Sequence, residues 1–317
     1  MKKQIFASAL LTLLIVFGIG ASVTAQTGGA GNGFRISPVR EELTIQPGKS
    51  QSVDVTVENI TNEAIVAHPV INDFIASNAE DGQPRLLLDQ TAPISGNSIK
   101  LLIKDLPDIP LKAKEKKIVK VAINVPADAA AGGYYGALRF SPANLTDQKQ
   151  VSLTASVGVL FLIKVPGNIV ESLDLLTLEA GNGDRSGGLF FKSPQKTVTR
   201  LKNTGDIHVQ PYGRITVKDW RGKTISDQEF NNVDPRANVL PNSTRRFETP
   251  LNAKASFGRY TIYANLGYGT SGNLITAKST FWVLPIWFLI TLAVIILLIV
   301  GFILRIRHKR KRRRHYR

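Results

Sequence analysis

The sequence predicts an all-β chain of two tandem immunoglobulin-like sandwiches followed by a single transmembrane helix. Three observations carry that expectation. Apolar residues recur with a period of two between Phe34 and Thr280, turn-forming residues punctuate these runs, and one uncharged stretch near the C-terminus is long enough to cross a bilayer.

At the N-terminus, Lys2 and Lys3 precede an apolar run from Ile5 to Ile19 and a small-residue exit ending Val23-Thr24-Ala25. This grammar predicts a secretory signal peptide over 1–25, with an uncleaved anchor as the alternative. Residues 26–33 are Gly-rich and have nothing to bury, so a flexible segment is expected there. The first sandwich is expected over 34–166. Val53, Val55 and Val57 alternate with Asp54, Thr56 and Glu58, and Val119, Val121 and Ile123 alternate with Lys120, Ala122 and Asn124. Its closing strand, 151–165, is apolar at every odd position. Turns are expected at Gln46-Pro47-Gly48, Glu80-Asp81-Gly82 and Gly132-Gly133.

The connection Pro166-Gly167-Asn168 separates a second sandwich, expected over 167–280. It contains a hairpin Ile215–Ile225 turning at Trp220-Arg221-Gly222, and a late strand with Tyr260 and Ile262 facing inward. Both halves open with a strand, a turn and an alternating strand that ends in an asparagine turn, Val57-Glu58-Asn59 and Leu201-Lys202-Asn203. Phe281–Leu304 carries no charge, which predicts the membrane span. Residues 305–317 form a basic tail that the positive-inside rule holds in the cytoplasm, leaving the N-terminus outside. No complete sortase motif precedes the span, so the anchor is expected to be permanent.

The chain has 40 Lys+Arg against 24 Asp+Glu and no cysteine. The last thirteen residues hold nine of the basic side chains. Setting these aside with Lys2 and Lys3 leaves 29 basic against 24 acidic groups. The excess charge therefore belongs to the ends, and abutting a span it reads as a stop-transfer anchor, not a nucleic-acid-binding tail. The missing cysteines exclude a disulfide framework, a thiol nucleophile and thiolate metal sites. Outside the tail only His68 and His208 remain, with no nucleophile motif, calcium-type loop or phosphate loop beside them. The sequence thus predicts no enzyme, no cofactor and no metal site. Binding is the expected mode of action, and the candidate ligand contacts are Trp220, at a hairpin tip among charges, and Tyr134 and Tyr135, of which strand alternation turns one outward.

The segment Gly132-Gly133-Tyr134-Tyr135-Gly136-Ala137 resembles the corresponding segment of WxL-interacting proteins. So does the start Ile36-Ser37-Pro38 leading to Gln46-Pro47-Gly48-Lys49-Ser50 and Val55-Thr56-Val57-Glu58-Asn59. The second half is similar more loosely, through Asn203-Thr204-Gly205-Asp206 and Val239-Leu240-Pro241-Asn242-Ser243. The resemblance implies a Gram-positive cell-surface protein with a peptidoglycan-binding sandwich, a second, host-binding sandwich, one membrane span and a basic tail. Its implied partners are the cell wall or a cell-surface protein. The alternative is an assembly module resembling pilus chaperones, which act by strand addition; the long apolar strand 151–165 motivates it.

Overall fold

The computed structural model describes residues 33–89, 91, 94, 96–142 and 157–314. The expected signal peptide, residues 26–32, the first part of the strand 151–165 and residues 315–317 lie outside the described residues.

The first half contains β1 (Phe34–Ser37), β2 (Arg40–Thr44), β3 (Ser50–Asn59), β4 (Ile65–Ala76), β5 (Pro84–Leu86), β6 (Ile109–Leu111), β7 (Lys116–Asn124), β8 (Gly132–Pro142) and β9 (Val157–Val165). One layer runs β1-β3-β7. The other runs β2-β9-β8-β4-β5, with β6 beside β4. The predicted alternation is what joins the layers: Val53, Val55 and Val57 are buried, and β3 sets Val55 opposite Val119 and Val53 opposite Val121. From the facing layer, Leu138, Phe140, Phe161 and Ile163 fill the same core. Alternation therefore encodes which face is wet, as an antiparallel sheet with one solvated side requires.

The second half contains β10 (Leu173–Asn182), β11 (Arg185–Gly187), β12 (Leu189–Phe190), β13 (Lys196–Asn203), β14 (Tyr212–Asp219), β15 (Thr224–Phe230), β16 (Thr244–Pro250), β17 (Gly258–Tyr268) and β18 (Asn273–Val283). Its layers run β11-β10-β13-β16 and β12-β18-β17-β14-β15. Tyr260 and Ile262 point inward as expected, and Tyr260 stacks on Phe281 at 5.2 Å between ring centroids. This second core shares no residue with the first.

The two asparagine turns hold the same device. Asn59 and Asn203 are fully buried at the ends of β3 and β13. Asn59 Nδ2 donates to the carbonyls of Glu63 and Lys112, at 2.7 and 2.8 Å, while Oδ1 accepts from the Thr61 amide. Asn203 Nδ2 donates to the carbonyls of Ile207 and Val239, at 2.7 and 2.8 Å, and Oδ1 accepts from the Gly205 amide. One carboxamide thus ties its own turn to a second loop distant in sequence, in a chain with no disulfide to do so.

Two expectations change. Gly132-Gly133 is not a turn but the start of β8, where the pair continues into the sheet opposite Val165 and Lys164. The membrane span does not begin at Phe281, because Phe281–Val283 belong to β18 and Phe281 is buried between Phe190 and Tyr260. Leu284 donates its amide to Phe190, and Pro285 then opens helix α1 (Ile286–Arg314). A proline fits there because its fixed φ suits the helix start and it has no amide to leave unpaired. The apolar portion of α1, Ile286–Arg307, is 22 residues long, has no buried residue and is long enough to cross a membrane.

Replacing Asn203 with Ala takes its bond from the Ile207 carbonyl and the Gly205 amide, while the Val239 carbonyl keeps the Val209 amide. Urea unfolding should show a loss on the order of 1–3 kcal/mol per orphaned group. Lys202→Ala, on the exposed face of the same strand, should stay within about 0.5 kcal/mol of the parent.

Candidate functional site

The segment Gly132–Ala137 places its side chains alternately in the core and on the outer face of the β9-β8-β4 sheet. Tyr134 faces the core, is 2% exposed, and donates its hydroxyl to the Ala130 carbonyl at 3.0 Å. It is a packing residue, which corrects its candidacy as a ligand contact. Tyr135 takes the other face, but that face is covered. Its ring lies back over Gly133, where any Cβ would sit 1.9 Å from the Tyr135 hydroxyl, so glycine is required. A Cβ at Gly136 would collide with Ile99 in the same way. The small residues of the segment are there to let Tyr135 and Ile99 approach the backbone.

Tyr135 instead reaches the second sandwich. Its Oη accepts the His208 amide at 2.8 Å, lies 3.2 Å from His208 Nδ1, and the two rings meet edge-on at 5.6 Å. Burial pushes the Tyr135 phenol up, so its proton stays, and burial pushes the His208 imidazole down despite the attraction of Glu42. A neutral imidazole accepting the Tyr135 O–H at Nδ1 satisfies both groups, leaving Nε2 4.0 Å from Glu42.

Glu42 gathers the rest of the junction. Its carboxylate accepts from Arg40 at 2.6 Å, Asn238 at 2.6 Å and Gln210 at 2.8 Å, the last two from the second half. Lys164 meets Glu171 at 3.2 Å, and Glu171 also accepts the amide and hydroxyl of Thr270. Burial opposes ionisation of Glu171, but the Thr270 and Lys164 bonds outweigh it and hold its carboxyl below the usual range. Further along, the Arg200 guanidinium grips Glu80 on the β4–β5 hairpin and lowers that carboxyl too. Clefts of about 330 and 600 Å³ flank these contacts.

The far end of the same outer sheet face carries a second polar group, buried or half-buried except at His68. There Arg139 Nε and Nη2 both donate to Asn72 Oδ1, at 2.9 and 2.7 Å, and Asn72 Nδ2 donates to the Leu87 carbonyl at 2.8 Å. Half-buried Val70 and Leu160 flank this guanidinium, with exposed His68 beyond. His68 Nδ1 lies 2.6 Å from Asp108. Ser141 is opposite His68 on β8, yet among the described residues no hydrogen bond joins it to the imidazole. A third cleft, about 720 Å³, runs beside β15 and β16 of the second half. Its charges neutralise one another: Arg214 pairs with Asp227 at 2.8 Å and Arg246 with Glu248 at 3.0 Å. No cluster of three or more metal-ligating side chains occurs among the described residues.

Trp220 sits at the β14–β15 tip as expected; its ring lies against Gly258 at the end of the sheet and is still 62% exposed. It lies at the end of the second sandwich away from the junction, near Gly258 and the start of α1. The structure therefore places the three predicted contacts in three different environments. Neither the Glu42 cluster nor the Arg139–Asn72 pair was among the predicted contacts. Glu42 and Gln210 are 168 residues apart, and no local pattern links them.

Comparison with known proteins agrees with the motif reading over part of the chain. The family described as WxL Interacting Protein, peptidoglycan binding domain, matches residues 42–142, from β2 to the end of β8. No curated protein matches. Among solved structures, the class 5 fimbriae chaperone CfaA is 12% identical with a TM-score of 0.38, covering 80% of this chain and 99% of its own. The E. coli chaperone DraB is 11% identical with a TM-score of 0.35, covering 79% and 97%. Likeness at this level brings no function with it. The strand that motivated an assembly role, β9, is also no free edge: from Leu160 to Lys164 it is paired with β8 on one side and β2 on the other.

The junction should weaken on acidification in two stages. A histidine held below 6.5 in the folded state contributes fully above that pH and loses its contribution as pH falls below it. Glu80 and Glu171, held below 4.5, follow at lower pH. Thermal unfolding between pH 6.5 and 4.5 should thus be less pH-dependent in His208→Gln than in the parent. Tyr135→Phe should cost about 1–3 kcal/mol by orphaning the His208 amide.

Proposed function

We propose that this chain is a membrane-anchored bacterial surface protein that binds peptidoglycan through its first sandwich and acts without catalysis. The observation that carries this reading is the family match over 42–142. The second sandwich and α1 are then the base on which that unit stands, with the N-terminus outside and the basic tail in the cytoplasm. Junction contacts involve the β13–β14 connection and the Thr270 turn, whereas α1 leaves from the end of β18. These are opposite ends of the second sandwich, so the first one is held away from the bilayer.

Within the first sandwich we assign contact with the wall to the end of the β4–β8–β9 face where His68 is exposed beside Val70 and Leu160. Peptidoglycan offers stem-peptide carboxylates and acylated sugars. The exposed His68 end suits the polar groups of the first, and half-buried Val70 and Leu160 suit the faces of the second. The residues 33–283 should sediment with purified peptidoglycan and remain bound at high salt, while residues 167–283 stay in the supernatant. Leu160→Ala should weaken retention about tenfold, the scale of one lost apolar contact. Equal retention of both proteins, lost at high salt, would show charge adsorption in place of a site. Retention of neither would favour a surface protein as the partner.

A further inference from the structure

The chain has three tryptophans, Trp220, Trp282 and Trp287, and all three lie at one end of the second sandwich. Gly258 pairs with Val283 in the last row of the sheet, and the Trp220 ring packs over Gly258, 3.2 Å from where its Cβ would stand. Trp282 is in the adjoining row, paired with Leu189 on the neighbouring strand. Only Leu284 and Pro285 separate this row from α1, where Trp287 occupies the first turn. Phe257, just before β17, packs against Phe288 of that turn with ring centroids 4.5 Å apart and planes tilted by 43°, drawing the loop onto the helix. Leu189, Phe191, Phe257, Trp220, Trp282 and Trp287 are all exposed, a concentration of large apolar side chains that water would not favour.

The charges around them are mostly basic. The Arg221 guanidinium lies 4.5 Å from the Trp220 ring centroid, and Lys192, Lys223, Lys254 and Arg259 are exposed nearby. Asp219 is committed to the hairpin, accepting the amides of Arg221 and Lys223 at 2.9 Å each. Asp184 is offset by Arg185 in the neighbouring turn. Aromatic rings that are apolar in body and polar at the tip, bordered by cations, favour the headgroup level of a bilayer.

We propose that this end of the second sandwich is a lipid-binding face, with Trp220 and Phe257 seated in the headgroup region of the outer leaflet beside the emerging helix. The proposal rests on α1 spanning the membrane, as read above. It assigns Trp220 to lipid and not to a wall ligand, and it fixes the tilt of the whole extracellular part. A sandwich on a free helix would swivel; one held by α1 on one side and Trp220 on the other would not.

The test uses the full chain in vesicles of phosphatidylcholine and phosphatidylglycerol, with a single tryptophan left in each variant. In Trp282→Phe/Trp287→Phe only Trp220 emits, and in Trp220→Phe/Trp282→Phe only Trp287 emits. Acyl chains brominated near the headgroup should quench both, and aqueous iodide should quench Trp220 less in vesicles than in residues 33–283 free in solution. Trp287 quenched by lipid with Trp220 quenched by iodide alone would overturn the lipid-binding face and leave the span intact. Failure of brominated lipid to quench Trp287 would instead overturn the span on which the proposal stands. A Trp220 shielded from iodide yet untouched by brominated lipid would show a protein contact, which also overturns it.

Discussion

The Tyr135 hydroxyl is the contact on which the arrangement of this molecule turns. It projects from a strand of the first sandwich, takes the backbone amide of His208 in the second, and is largely shielded from water where it does so. Water cannot replace a partner at such a site cheaply, so separating the sandwiches there would orphan a donor and an acceptor together. Glu42 adds the same logic with charge, since its oxygens are shared between Arg40 on its own side and Asn238 and Gln210 opposite. Such contacts are individually modest, but they are coupled, because the His208 ring that holds Tyr135 is also turned toward Glu42. A polar junction of this kind specifies one orientation where an apolar patch would tolerate several.

That contact explains the most distinctive run of the sequence. In Gly132–Ala137 the residues serve packing and orientation: Tyr134 fills the core, Gly133 clears the path of the Tyr135 ring, and Gly136 admits Ile99. Residues that mark the resemblance to peptidoglycan-binding domains therefore build the platform. The buried Asn59 and Asn203 do comparable work at the strand ends. Each pins two loops with one side chain, and their recurrence in both halves accounts for the shared opening pattern of the two sandwiches.

Much of the fold could be read from the sequence, because the face a strand buries is written in every second residue. Val55 and Ile262 are where the alternation put them. What alternation omits is which strand lies beside which, and the misreadings follow from that. Val151–Val165 looked like an available strand because its apolar character on both faces from Val159 to Ile163 is visible, whereas the pairing of its described part with β2, more than a hundred residues earlier, is not. One of Tyr134 and Tyr135 was expected to face outward; Tyr135 takes that face, and the second sandwich that covers it leaves no mark near it in sequence. Phe281 and Trp282 read as membrane residues because hydropathy does not separate a buried strand from a spanning helix over three positions; the Tyr260 ring stacked on Phe281 does. Trp220 was recognised as an unusual residue, but its neighbours come from β17 and α1, which only the fold brings to it.

The central claim is that the first sandwich meets the cell wall through the His68 end of its β4–β8–β9 face while the second stands on the membrane. Hydroxyl-radical footprinting of the full chain in lipid nanodiscs, with and without soluble peptidoglycan fragments, tests it most directly. The account predicts that the fragments protect His68, Val70 and Leu160 and leave Phe247 and Tyr263 of the second sandwich unchanged. Protection confined to the second sandwich, or none on the β4–β8–β9 face, would contradict it.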